Sequence, residues 1–148
     1  DTLSLHDALP IWIQAADLVT RKLGYEQGGV LTSLFSEVAQ DCGDAPELAA
    51  LARDCEAIAR WMVAEASLDD RLAGSVPFCT MSAVAVAGWQ LQRQARALSG
   101  DDTPQARAKA VVARYFAQHI ATETRGLQMQ ATAGADLLYA LDAEALAG

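Results

Sequence analysis

An all-α fold, an up-and-down helical bundle, is what this sequence predicts, and three observations predict it. Apolar residues recur at alternating steps of three and four along several stretches, the spacing that lines one face of an α-helix. Alanine, the best helix former, is abundant, and β-branched residues are sparse. No stretch shows the strict alternation of a half-buried strand. Turn-forming clusters leave short connections between long helices, which favours antiparallel neighbours. Seams of period 3.5 suit a crossing angle near ~20°.

The elements follow in order. Ile13 to Leu23 reads as a helix tail, with Asp17 and Arg21 four apart as a surface pair. GYEQGG at 24–29 breaks the pattern, and Gly24 is expected to end the helix in the left-handed conformation. Leu31, Leu34, Phe35 and Val38 mark an amphipathic helix. DCGDAP at 41–46 is a turn, with Asp44 as candidate cap and Pro46 in the first turn of the next helix.

That helix is the clearest of all. Leu48, Leu51, Cys55, Ile58 and Met62 form its seam, and it is expected to run to about Ser67. Residues 68–77 read as a connection, with Asp69 and Asp70 as solvated loop acids. Pro77 is expected to open a helix with Met81, Val84, Gly88, Leu91, Ala95 and Leu98 on its seam. Glycine at 88 would let a neighbouring helix come close, or make room for a tryptophan; Trp61 and Trp89 read as core anchors. Thr103 caps and Pro104 begins a long helix whose apolar face holds Val111, Val112, Tyr115, Phe116, Ile120 and Leu127. A bend is expected near 122–126, an end at Gly134, and a last turn capped by Asp142.

A chain of 148 residues suffices for one core. Its apolar share of 52 %, charged share of 20 % and mean hydropathy of +0.12 suit an ordinary globular domain. The formal net charge is −8, and no run of Lys and Arg lines any element. A nucleic-acid groove needs such a basic stripe, so nucleic acid is not an expected partner. An anionic membrane would repel this surface, and no apolar stretch approaches the ~20 residues of a membrane span. Cys42, Cys55 and Cys79 are widely spaced and odd in number, which reads as buried thiols in a reducing cytoplasm.

The search for a complete active site finds none. No GK[ST] follows the glycines of 24–29, so they are not a P-loop. No GxSxG occurs, and no Glu-x-x-His that would hold two metal ions inside a bundle. His119 and Glu123, one turn apart, read as a structural or surface pair, and no metal site is expected.

Residues 1–11, DTLSLHDALPI, resemble a sequencing adapter read as protein. The DNA ACT CTT TCC CTA CAC GAC GCT CTT CCG ATC T encodes Thr2 to Ile11 in one frame, and its leftover T begins the only tryptophan codon, as Trp12 requires. The segment is set aside from fold reasoning. Without Asp1 and Asp7 the charge is 11 minus 17, or −6.

Three stretches then resemble one family. IQAADLVTRKL at 13–23 is similar to the segment just after the catalytic glutamate of large bacterial acyl-CoA dehydrogenases, through Ile13, Gln14, Ala15, Asp17, Leu18, Arg21 and Lys22. Thr20 departs where the family commonly has glycine. PFCTMSAVAVAGWQLQRQA at 77–95 resembles a helix of the extra C-terminal domain of the larger members, including those similar to 3-methylthiopropanoyl-CoA dehydrogenase. ARYFAQHIATETRGLQMQATAGADLLYAL at 113–141 resembles the domain's closing helix, without the family's proline kink.

The resemblance implies a division into the adapter-derived segment 1–11, the tail of a catalytic helical domain at 12–29, and a C-terminal bundle at 30–148. In the family, the glutamate removes the proton next to the thioester carbonyl while FAD takes a hydride from the next carbon. By this register the glutamate would fall at position 8, where Ala8 stands. The implied reading is therefore an inactive C-terminal piece. Its FAD and acyl-CoA sites lie in the parent enzyme, and its partners are the rest of that enzyme and a homo-oligomer mate. Only Gln14 remains as a cofactor-side candidate. The closing LDAEALAG resembles the end of family members. A freestanding interaction or dimerisation module is the alternative, and an acyl-CoA oxidase parent would share the flavin chemistry.

Overall fold

The computed structural model describes residues 12–141 and 144–145, and every regular element among them is helical. Helix α1 comprises residues 12–17 and a wide π turn, Leu18–Lys22. A 3₁₀ turn at Tyr25–Gly28 leads into α2, Gly29–Asp41. Then come α3, Pro46–Ala64, the short α4, Leu68–Ala73, and α5, Ser75–Ala97. Helix α6, Pro104–Tyr115, continues through a π turn at Phe116–Ala121 and short helical pieces to Ala131.

Contacts between elements set the topology. Gly28 of the turn before α2 approaches Val63 at the end of α3, so α2 and α3 are antiparallel. Gly88 faces Leu48, and Gly74 at the mouth of α5 faces Met62, so α3 and α5 are antiparallel. Gln92 Nε2 donates to the Ala113 carbonyl at 3.1 Å and Lys109 Nζ to Gln94 Oε1 at 2.9 Å, which sets α5 against α6 in the same way. The bundle is thus up and down, as the spacing predicts.

The core follows the predicted seam of α3. Leu48, Leu51, Cys55, Ile58 and Met62 are all buried. Phe35 of α2 meets Phe78 of α5 edge to face at 6.2 Å between ring centres. Val19 and Leu23 of α1 join the same cluster. On α5 the buried line runs through Phe78, Met81, Ala85, Gly88 and Trp89, while Val84 and Leu91 of the predicted seam are only half-buried.

Two glycines set how closely the helices pack. A Cβ on Gly88 would lie 2.7 Å from Leu48 Cδ1 and 3.1 Å from Phe116 Cε1. On Gly74 it would lie 2.2 Å from the Ala131 carbonyl oxygen. The close-approach reading of Gly88 is the one realised.

Several expectations are corrected. Gly24 is right-handed, and the left-handed residues are Glu26, Gln27 and Gly28. Asp44 does not cap α3: its N-cap is Ala45, which has no capping side chain. Helix α3 ends at Ala64, short of Ser67. The expected 68–77 connection contains α4, whose capping box is Ser67 with Asp70. The signature Ser-x-x-Asp stands in the sequence, but α4 buries no residue, so no apolar period accompanies it. Asp70 is therefore no loose loop acid. It accepts from Ser67 N at 3.0 Å and from Ala135 N at 2.8 Å, which ties the chain after α6 to α4, with Gly134 at φ +74 making the turn.

The largest correction concerns α6. Ala106, Ala113, Ala117 and Ala121 face inward, while Val111, Val112 and Tyr115 are exposed. Thr103 does cap it, accepting from Ala106 N at 3.2 Å, with Pro104 in the first turn. The irregularity expected near 122–126 appears as the π turn before it and a 3₁₀ turn at Arg125–Leu127. The expected cap Asp142 lies outside the described residues.

At the end of the bundle where α2 and α5 finish, Trp89 Nε1 donates to Asp41 Oδ2. Arg96 Nη1 donates to Asp41 Oδ1 at 2.8 Å, and Nη2 to the Asp41 carbonyl, also at 2.8 Å. The guanidinium and then the indole N–H hold the Asp41 carboxyl below the usual carboxylate range.

Gly74→Ala is expected to destabilise the fold by about 1–3 kcal/mol, because backbone must move to admit the methyl group. Gly100→Ala, with nothing within 4 Å of its Cβ, should be neutral or slightly stabilising. Urea unfolding of the two variants checks the contrast. The lowered pKa of Asp41 contributes stability above the unfolded carboxyl's value, and that stability is lost as pH falls through the folded value. The loss of stability between about pH 5 and pH 3 should therefore be smaller in Asp41→Asn than in the parent sequence. Equal losses would remove Asp41 from the account.

Candidate functional site

Of the sequence-derived candidates, Gln14 lies in α1, exposed, and its side chain makes no hydrogen bond among the described residues. Position 8, Ala8, lies outside the described residues. His119 stacks on Tyr115 with ring centres 4.5 Å apart, and among the described residues no ion pair joins it to Glu123. Trp89 is buried and Trp61 half-buried, so both serve packing. Among the described residues no group of three His, Cys, Asp or Glu could hold a metal ion.

The thiols are free. Burial pushes Cys42 up to about 11 and Cys55 up to about 12, and it also raises half-buried Cys79. A thiol held protonated is a poor nucleophile, so none of the three is an activated cysteine.

Two clefts lie between the helices. One, of about 430 Å³, lies between α1, α2 and α5, where Leu18, Leu31, Leu34, Phe35 and Val86 make an apolar wall. Its polar groups are Cys79 and Ser82, and the Ser82 hydroxyl is spent on the Phe78 carbonyl at 2.7 Å. The other, of about 400 Å³, lies where α3 begins beside the end of α5 and the middle of α6. Gln92 and Arg96 in its wall are engaged with Ala113 and Asp41, and Asp44, Glu47, Ser99, Arg114 and Gln118 are its other polar residues.

General acid–base chemistry needs a carboxyl or imidazole whose pKa its surroundings bring near neutrality. Among the carboxyls that shift, Asp17, Asp41 and Asp70 are all held low by hydrogen bonds. A flavin needs donors aimed at its ring and cations or backbone N–H groups around its diphosphate. The apolar cleft offers neither.

No helix among the described residues is long and apolar enough to cross a membrane. No curated protein and no solved structure matches the chain. A family model described as acetyl-CoA dehydrogenase C-terminal like matches residues 34–142, which takes in α3, α4, α5 and α6 whole and most of α2. By this match, covering well over half its length, the chain belongs to the acetyl-CoA dehydrogenase C-terminal-like family.

Proposed function

We propose that the chain is the helical C-terminal part of an FAD-dependent acyl-CoA dehydrogenase and serves it as a scaffold, without a reaction of its own. The family match over residues 34–142 is the observation that carries this reading. The resemblance of 13–23 to the segment after the catalytic glutamate extends it, as does the matching order of 77–95 and 113–141.

In this reading the base that removes the proton next to the thioester carbonyl, the flavin and the acyl-CoA pocket belong to the parent. Residues 12–29 are the tail of its catalytic domain, and 30–148 its C-terminal bundle. The larger, 3-methylthiopropanoyl-CoA dehydrogenase-like members are the group it joins, working in fatty acid metabolism in the cytoplasm, where thiols such as the three here stay reduced. The remainder of the enzyme, and a second copy of it, are the partners. Residues 1–11 are adapter-derived, as their ten consecutive codon matches suggest. The competing reading, a freestanding interaction module, is favoured by one observation, the apolar outer face of α6.

After incubation with FAD and removal of free cofactor, the chain is expected to show no flavin absorption band, and Gln14→Ala no change. A stoichiometric yellow complex, or turnover of an acyl-CoA thioester, would overturn the scaffold reading. The source DNA is expected to continue in frame upstream of Ile13 and to carry a glutamate codon where Ala8 now stands. A natural start codon immediately before Ile13 would favour the freestanding module.

A further inference from the structure

Helix α1 is joined to the bundle by a strained turn. Glu26 (φ 50, ψ 36), Gln27 (φ 55, ψ 40) and Gly28 (φ 88) follow one another in the left-handed region. Residues with a side chain visit that region singly, and each is disfavoured there roughly tenfold against the right-handed one. Glu26 and Gln27 occupy it in succession.

Docking on either side holds the turn in this state. Ala15, Val19 and Leu23 of α1 are fully buried, and the π turn of α1 packs on α4 and α5. At the other end Gly28 is buried against Val63, where a Cβ would lie 2.8 Å from Cγ2. Between them residues 24–27 are exposed. The Gln27 N–H, now donating to the Gly24 carbonyl at 3.2 Å, would find water once the turn opens.

A short strained turn between a docked helix and its bundle invites exchange of that helix between copies. The seat on α4 and α5 is shaped to α1, so the α1 of a second copy fits it equally well. Each contact of α1 with its seat is then remade between two copies, while Glu26 and Gln27 of both leave the left-handed region. The two forms differ in the strain of the turn and in the cost of association.

We infer that α1 is an exchangeable arm. The left-handed turn at 26–28 opens, and two copies of this chain pair by each seating its α1 on the other's α4 and α5. The inference goes beyond the scaffold reading and does not depend on it.

The test uses Lys22 of α1, which lies within electrostatic reach of Cys79 of α5 and is one of two lysines, with Lys109. Isotope-labelled and unlabelled full chains are unfolded in urea and refolded together at about 1 mM. A short amine-to-thiol cross-linker then joins Lys22 to Cys79. Sedimentation is expected to show a dimer, and its cross-linked peptides to pair one labelled half with one unlabelled half. The double variant Glu26→Gly with Gln27→Gly, at ease in the closed turn, should weaken the dimer at least about tenfold. Gln27→Pro, with φ fixed at about −65°, cannot form the closed turn and should strengthen the dimer. Circular dichroism verifies that each variant keeps its helices, and the glycine pair decides alone if the proline variant does not fold. A chain that stays monomeric at about 1 mM, cross-links confined to one copy, or a dimer unchanged by the glycine pair would each overturn the inference.

Discussion

The close approach of α5 to α3 and to the continuation of α6 is the constraint on which this fold depends. Gly88 is where Leu48 and Phe116 meet the α5 backbone, and Gly74 is where the Ala131 carbonyl does. Alanines at 113, 117, 121 and 131 complete the contact from the α6 side. At Gly88 the side chains of Leu48 and Phe116 already fill the space, and at Gly74 the Ala131 backbone does. Bulky residues therefore gather where α2, α3 and α5 surround Phe35, Phe78, Leu51, Ile58 and Met62. The same constraint turns the large apolar residues of α6 outward, since its inward positions are already taken by methyl groups.

Carboxylates staple the bundle at both ends. Asp41 gathers Trp89 and Arg96 where α2 and α5 finish, and Asp70 gathers Ser67 and the Ala135 N–H where the chain returns past α4. Asp54 receives Arg125 at 2.5 Å along the side of α3. Partly exposed ion pairs of this kind contribute modestly to stability. Their larger effect is geometric, because each fixes the position of a chain segment that apolar contacts alone would leave free to slide. The carboxyls with shifted pKa are held low in their structural pairs, and Gln92 and Arg96 in the wall of one cleft are engaged with neighbouring helices.

The scaffold is our proposal, and it starts from the family assignment. A C-terminal bundle that positions other parts of an enzyme needs a firm core, fixed ends and a surface that another element can recognise. It needs no nucleophile and no perturbed base of its own, and the three thiols, all raised by burial, are consistent with packing alone.

The sequence by itself determined the all-α class, the seam of α3, the cap at Thr103 and the place of Gly88 on the buried seam of α5. Each rests on period or on local hydrogen bonding, which operate within a turn or two of the chain. The short α4 escaped notice because a helix that buries nothing has no apolar period to reveal it. The candidate site was legible only as a resemblance around Gln14, since nothing local to that residue converges on a ligand. Only the tertiary structure decided which face of α6 points inward. Both faces are apolar by composition, one with alanine and one with valine and tyrosine, and hydrophobicity alone favours the bulkier one. In the fold the alanines at 106, 113, 117 and 121 take the inward positions, a choice set by helices far apart in the chain.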